Sequence, residues 1–190
     1  MSRALRLPAL LLLGVGITAP LGGNGFPSHM LGHMTLVALA APLLVLAWPA
    51  AFARLEVPPL AGAVIEFAVV WGWHLPALHG AARLSGSWFL AEQLLFLLGG
   101  LAVWISALGA AQPLAGAGAL LLTSMHMTLL GALLVLAPSD LYAAICGTPP
   151  DVWAQGIGGL LMLGIGTPVY LIAGLALTAR ALRGDNEEPA

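Results

Sequence analysis

Residues 28–48 read SHMLGHMTLVALAAPLLVLAW, a stretch without a single Asp, Glu, Lys or Arg. A helix needs about 20 predominantly apolar residues to cross the hydrocarbon core of a bilayer. This stretch has that length and that composition, so it predicts a transmembrane helix.

The residues around this stretch have the same character. Residues 7–53 contain no charged side chain, residues 88–139 contain only Glu92, and residues 141–179 contain only Asp151. Charged residues make up 7% of the 190-residue chain, against about 25% in soluble proteins. So few charges cannot cover the surface of a soluble domain. We predict an all-α, polytopic membrane helix bundle, with one transmembrane domain over residues 1–183 and a short polar cytoplasmic tail over 184–190.

Pro, Gly and Trp residues divide the apolar sequence into about six predicted spans, near 5–20, 28–48, 59–75, 88–109, 115–137 and 153–179. The first span also fits a secretory signal peptide, with Arg3 and Arg6 before the apolar run Leu7–Ile17. Ile17-Thr18-Ala19 is a poor small-x-small cleavage site, so we predict a retained helix.

Close helix packing in lipid is predicted where small residues are paired, at Gly99-Gly100, Gly158-Gly159 and Gly164-x-Gly166.

The arginines predict the orientation of the bundle. With a cytoplasmic N-terminus, five of the six arginines lie inside and only Arg83 lies outside. This agrees with the excess of positive charge found in cytoplasmic loops. All five histidines then lie toward the periplasm or cell exterior, which predicts a polar function on that side.

Composition excludes several classes of function. The chain has no Lys, and therefore neither a P-loop lysine nor a Schiff-base lysine. Its net charge of −2, without a basic tract, argues against nucleic acid as a partner. The single Cys146 excludes an internal disulfide and a CxxC pair. No Ser-His-Asp arrangement is evident, and we predict that the protein is not an enzyme.

The sharpest local motif is the hexapeptide His29-Met30-Leu31-Gly32-His33-Met34. Residues four apart share a helix face, so the two imidazoles stack beside the two thioethers. Thioethers with imidazoles form a ligand set that suits copper, particularly Cu(I). The alternative is an interfacial histidine pair on a packing face that contains methionines.

Other polar residues lie within or beside the predicted spans. His126 lies about midway along the fifth span, where an ionisable group needs a polar partner, and its neighbours Met125 and Met127 are predicted to pack. His74 ends the third span within reach of His29. His79 is predicted to be a solvated loop residue.

Two carboxylates remain within the spans. Glu92 is predicted to accept a hydrogen bond from a metal-binding histidine, although it could also be a ligand itself or a proton acceptor. Glu66 lies eight positions before His74, about 12 Å along a helix, too far to share a metal ion with it. We expect Glu66 to hydrogen-bond to a neighbouring helix.

With these residues placed, the sequence resembles the polytopic CtaG family of cytochrome c oxidase assembly factors over most of residues 26–183. The resemblance rests on the hexapeptide, on Trp73-His74-Leu75-Pro76, on Glu92-Gln93-Leu94-Leu95-Phe96 before Gly99-Gly100 and Trp104, on Leu130–Leu134 running to Ala137-Pro138 and Leu141-Tyr142, and on a Gly-rich last span ending in Arg. It differs at Gln93, where family members often have His. The resemblance implies maturation of a heme–copper oxidase in a bacterial plasma membrane, at the stage of copper delivery.

The sequence thus predicts one copper ion, Cu(I), held by His29, His33 and His126. Met30 or Met34 is a weaker contact, and His74 and Glu92 lie close by. The expected partners are cytochrome c oxidase subunits, a periplasmic copper chaperone and the lipid bilayer.

Two other functions compete with this prediction. A b-type cytochrome needs histidines on different helices, for example His33 opposite His74 or His126. A copper transporter needs ligands through the full depth of the membrane, and the cytoplasmic half offers only Glu66 and Glu56.

Overall fold

The computed structural model describes residues 2–23 and 25–184, which are helical almost throughout and contain no strand. The all-α membrane bundle predicted from the sequence is therefore confirmed. The predicted polar tail lies outside the described residues from position 185 onward.

The main helices follow the apolar stretches of the sequence. They are α1 (Ser2–Thr18), α2 (Gly25–Ala47), α3 (Pro59–His74), α4 (Pro76–Leu84), α5 (Gly86–Leu108), α6 (Pro113–Leu136) and α7 (Val152–Arg183). Short helices lie at Ala19–Gly22, Pro49–Phe52 and Ala143–Cys146. Two π-helical segments widen the helix within α2 (Thr35–Ala40) and within α7 (Met162–Gly166).

Five helices are long and apolar enough to cross a membrane, and α3 with α4 supplies a sixth span if the bent pair counts as one. The bend between α3 and α4 is 71°. It has a local cause, because Pro76 forces the preceding Leu75 out of the helical region, to φ −64° and ψ 132°. The segment after His74 is therefore a helix that turns back against α5 and the Ala143–Cys146 helix, and the loop expected there is not present.

Small residues let the helices approach closely, as predicted for most of the glycine pairs. A Cβ on Gly100 would lie 3.0 Å from the Cα of Val37, and one on Gly159 would lie 2.7 Å from the carbonyl oxygen of Gly131. Gly164 is the exception, because a Cβ there would have no neighbour within 4 Å. Contacts between α2 and α5 and between α6 and α7 thus depend on the absence of a side chain.

The π-helical segment of α2 is held by side chains from two other helices. The Val37 carbonyl accepts hydrogen bonds from Trp104 Nε1 at 3.0 Å and from the Tyr170 hydroxyl at 3.2 Å. The two aromatic rings stack with their centroids 5.1 Å apart. These bonds fix α2 against α5 and α7, and so they fix the position of the histidines one to two turns earlier on α2.

Candidate metal centre

Four of the five histidines meet at one end of the bundle, and we call them the histidine cluster: His29, His33, His74 and His79. The ring centroids of His29 and His79 are 4.8 Å apart, and those of His33 and His74 are 5.1 Å apart. His29 and His74 link the two pairs at 5.9 Å. All four side chains are at most 5% exposed. Three different helices therefore direct imidazoles into one buried volume.

The local sequence explains how the cluster forms. The i, i+4 spacing on α2 puts His29 and His33 on one face, with their ring centroids 6.4 Å apart. His74 is the last residue of α3, and the turn at Pro76 brings His79 of α4 back over His29. The prediction that His79 is a solvated loop residue is wrong. It is 3% exposed and lies 4.5 Å from the Tyr142 ring.

A buried carboxylate from α5 borders the cluster. His29 and His79 each offer one ring nitrogen and Glu92 offers one carboxylate oxygen, and these three possible ligand atoms lie within 4.8 Å of one another. We call this set of three residues the carboxylate triad. Arg83 lies beside it and donates from Nη2 to Glu92 Oε2 at 2.7 Å and to His29 Nδ1 at 3.3 Å. Arg83 was not predicted from the sequence as a site residue. Its i, i+4 spacing from His79, on a helix that begins at Pro76, is a signal that points to it.

Several ring nitrogens in the cluster are free to bind a ligand. His74 donates its Nδ1–H to the Val70 carbonyl at 2.6 Å, which leaves the Nε2 lone pair facing the cluster. Among the described residues, six buried atoms of the cluster and Glu92 have no hydrogen-bond partner: His29 Nε2, His33 Nδ1, His33 Nε2, His74 Nε2, His79 Nδ1 and Glu92 Oε1. A buried polar atom without a partner costs about 1–3 kcal/mol. Coordination of a metal ion would satisfy the lone pair that each neutral imidazole presents, and the residues present therefore fit one.

A pocket of about 570 Å³ leads to the triad from the end of the bundle. His29, His79 and Arg83 line its inner part, and Asp140 and Cys146 are among the residues of its rim. His33 and His74 form the inner part of the cluster, and they are not among the described residues that line the pocket. His29 and His79 are thus the members of the cluster that an incoming ion reaches first.

The rim of the pocket is ordered by one carboxylate, that of Asp140. It accepts hydrogen bonds from the backbone N–H groups of Tyr142 at 2.8 Å, Ala143 at 3.0 Å and Asp151 at 2.8 Å. Partial burial acts to raise the pKa of Asp140, but these backbone donors outweigh it and hold the pKa below its ordinary value of 3.8. Asp140 therefore stays ionised and keeps the loop in place over the pocket.

A family model described as the cytochrome c oxidase caa3 assembly factor (Caa3_CtaG) matches residues 7–184. The chain belongs to this family. The resemblance seen in the sequence is confirmed, and the protein is a multi-pass membrane protein that acts as an assembly factor for a caa3-type cytochrome c oxidase. Neither a curated protein nor a solved structure matches the chain.

The assembly factor's fifth histidine has a different environment. His126 of α6 and Glu66 of α3 are hydrogen-bonded, with His126 Nε2 2.7 Å from Glu66 Oε2. The His126 ring packs edge-on against Phe67 at 5.2 Å. The expected bond from Glu66 to a neighbouring helix is thus confirmed. The structure brings His29, His33, His74 and Glu92 together as predicted from the sequence. His126 is hydrogen-bonded to Glu66 and also lies close enough to His33 to interact with it electrostatically.

Met30 and Met34 lie on the side of α2 that packs against α7. The sulfur of Met34 is 3.3 Å from the position that a Cβ on Gly166 would take. The Cβ of Met30 is 3.6 Å from the position that a Cβ on Gly158 would take. Both side chains are fully buried in the apolar core of the assembly factor. Their thioethers fill space left by glycines, which is a common use of methionine in protein cores.

Proposed function

We propose that this assembly factor binds copper at the histidine cluster and supplies it to cytochrome c oxidase during maturation. The observation that carries the proposal is the set of five buried imidazole nitrogens without a partner, contributed by four neighbouring histidines of which two line the pocket. Copper is the cargo in this proposal, and the protein's own contribution is to bind, retain and release it. No catalytic step is required.

The donor set suits a transition-metal ion such as copper better than Mg²⁺ or Ca²⁺. Imidazole is a good ligand for copper, whereas Mg²⁺ and Ca²⁺ prefer several oxygen ligands. The cluster offers four imidazoles and one carboxylate, Glu92, and that carboxylate is already paired with Arg83. Cu(I) suits such a site, because it accepts few ligands and tolerates an apolar environment.

The geometry alters the ligand set that the sequence suggested. We place copper within His29, His33, His74 and His79, with Glu92 either as a ligand or as an acceptor for a histidine N–H. His126 is left out because its Nε2 is hydrogen-bonded to Glu66, which leaves only its Nδ1 without a partner. Met30 and Met34 are left out because they pack against α7.

We further propose that the histidine cluster faces the periplasm or exterior of a bacterial plasma membrane. The support is the distribution of arginines, of which only Arg83 belongs to the end of the bundle that carries the cluster. The Arg6 guanidinium packs over the Trp48 ring at 5.5 Å, which puts the start of α1 and the end of α2 at the same end of the bundle. A periplasmic copper chaperone could then load the cluster, and oxidase subunits in the same bilayer could unload it.

Metal analysis of the full chain, purified without an affinity His-tag, tests the proposal. The wild-type protein is incubated with Cu(I), desalted and compared with a variant carrying both His29→Ala and His33→Ala. We expect copper in the wild-type protein and none in the double variant, and we expect cells with the double variant to make an oxidase deficient in copper while the variant still accumulates in the membrane. Met125→Ala is the matched control, since Met125 is 69% exposed on α6.

The proposal fails if the wild-type protein retains no copper, or if the double variant retains as much as the wild type and supports a fully active oxidase. A heme absorption band in the purified wild-type protein would support a b-type cytochrome in place of a copper carrier.

A further inference from the structure

We infer that the histidine cluster contains two separate metal sites, and that the inner pair, His33 and His74, forms a Cu(I) site distinct from the carboxylate triad. The inference rests on the proposed function, because it assumes that copper enters the cluster. It goes beyond that function by dividing the cluster into a site exposed to the pocket and a site behind it.

The inner pair has the geometry of a two-histidine site. His33 of α2 and His74 of α3 face each other with ring centroids 5.1 Å apart. A metal–imidazole bond is about 2 Å long, so one ion between two rings needs their nitrogens about 4 Å apart. A centroid separation of 5.1 Å is compatible with nitrogens at that distance.

Each ring of the inner pair is prepared for a ligand in its own way. The bond from His74 Nδ1–H to the Val70 carbonyl fixes the tautomer and leaves the Nε2 lone pair as the only free donor atom of that ring. The His33 ring stacks on Phe96 at 4.0 Å with an interplanar angle of 16°, which fixes its plane. Both His33 nitrogens lack a partner within the described part of the chain, although the side chain is fully buried.

The carboxylate triad differs because a cation already lies beside it. The Arg83 guanidinium contacts both Glu92 and His29, and arginine is not deprotonated in proteins. A metal ion bound to the triad must therefore displace Arg83 or bind against its charge. The inner pair has no such cation among its described contacts, so it is the place where a metal ion enters without displacing a charge.

The inner pair also has a charge suited to a monovalent ion. Two neutral imidazoles in a buried, low-dielectric site do not neutralise a metal ion, and the cost of burying an ion rises steeply with its charge. Zn²⁺ prefers four ligands in a tetrahedral arrangement, whereas the inner pair offers two imidazoles. A soft, monovalent ion that accepts two ligands, which is Cu(I), fits best.

The pocket gives the two sites different accessibility. It is lined by His29 and His79 of the triad, whereas His33 lies one turn deeper along α2. Copper at the triad should therefore exchange with a chelator in solution much faster than copper at the inner pair. This difference provides a measurement that separates the two sites.

Single substitutions in the full chain, with the tag removed, test the inference. Copper stoichiometry and the rate of Cu(I) removal by a coloured Cu(I) chelator are measured for the wild type, His74→Ala and His79→Ala. We expect two bound Cu(I) per wild-type chain, removed in a fast and a slow phase of equal size. His74→Ala should lose only the slow phase, and His79→Ala only the fast phase.

X-ray absorption at the copper edge provides a second readout. Cu(I) bound to His79→Ala should show two nitrogen ligands, as expected for the inner pair alone. His74→Gln, which keeps a polar side chain, guards against loss of the slow phase by misfolding and should give the same result as His74→Ala.

The outcomes separate this inference from the proposed function. One copper per wild-type chain, lost on either substitution, means a single shared site and overturns the inference while the proposed function stands. Absence of copper from the wild-type protein overturns both. Three or more nitrogen ligands to copper in His79→Ala would also overturn the two-histidine site.

Discussion

Two buried carboxylates face histidines in this bundle, and the two pairs are organised differently. Glu66 and His126 are hydrogen-bonded directly at 2.7 Å. Glu92 is 3.6 Å from His29 Nδ1 and directs the same oxygen to Arg83 at 2.7 Å. The first pair keeps two buried atoms without a partner, Glu66 Oε1 and His126 Nδ1, but only the second pair is joined to a cation, to a pocket and to three further imidazoles. Burial alone therefore does not identify a metal-binding histidine; the number of imidazoles beside it and the access to it also count.

The two regions should differ in what they contribute. The Glu66–His126 bond links α3 to α6 within the membrane-spanning part, so it belongs to the packing of the bundle. The Glu92 region lies at the pocket, and its unpartnered atoms are those that a ligand would use. Each substitution below acts on one region and leaves the other in place.

The largest expected effect is on stability, from Glu66→Ala. The substitution removes the partner of His126 Nε2 in a buried site, which should lower the free energy of unfolding by about 1–3 kcal/mol. Thermal unfolding in detergent measures this, with Glu56→Ala at an exposed position as the control. Copper content should not change. Loss of copper from a folded Glu66→Ala variant would return His126 to the metal site, as the sequence suggested.

The next effect is on copper affinity, from Glu92→Gln. Groups that orient metal ligands typically contribute 10–100-fold in affinity, so we expect a loss of about that size rather than abolition. Competition with a Cu(I) chelator measures the affinity. Glu66→Gln is the matched control in the other region and should leave the affinity unchanged; an equal loss in both variants would remove the distinction between the two carboxylates.

A smaller effect, of opposite sign, is expected from Arg83→Gln. The substitution removes a positive charge next to His29 and Glu92, and a unit charge about 4 Å away contributes a few kcal/mol at an effective dielectric constant of 20. Arg83 is 23% exposed, and solvent screening reduces this. We expect copper affinity to rise about three- to tenfold in the same competition assay. Arg54→Gln, at the other end of the bundle, should have no effect. A fall in affinity would show that Arg83 supports metal binding.

The smallest effect is expected at the rim of the pocket, from Asp140→Asn. The charged Asp140 accepts three backbone hydrogen bonds, and its pKa is lowered below 3.8 in the folded protein. Its stabilising contribution is therefore complete above the unfolded pKa and is lost as the pH falls through the lower folded pKa. We expect the variant to be less stable by no more than about 1 kcal/mol at pH 7. In melting curves the difference from wild type should shrink below pH 3.8, and a difference independent of pH would contradict the assignment.

The sequence was sufficient for the fold and for three of the four histidines of the cluster. Charge-free stretches located the spans because lipid excludes charge, and the i, i+4 spacing put His29 and His33 on one helix face without reference to any other helix. His79 and Arg83 were not predicted as site residues, because their positions depend on the bend at Pro76, which determines how α4 packs on α5. The partner of His126 was not predicted either, since α3 and α6 are distant along the chain.

The sequence alone determined which segments enter the membrane, which helix carries the two stacked imidazoles and to which family the chain belongs. These properties depend on local composition and on spacing within one helix, so they can be determined from one segment at a time. Only the tertiary structure decided which imidazoles remain free. That depends on contacts between helices far apart in the sequence: Glu66 bonds to His126, Arg83 approaches Glu92, and Phe96 stacks on His33. A buried polar atom is satisfied or left free by its neighbours in space, and those neighbours are fixed by helix packing rather than by sequence spacing.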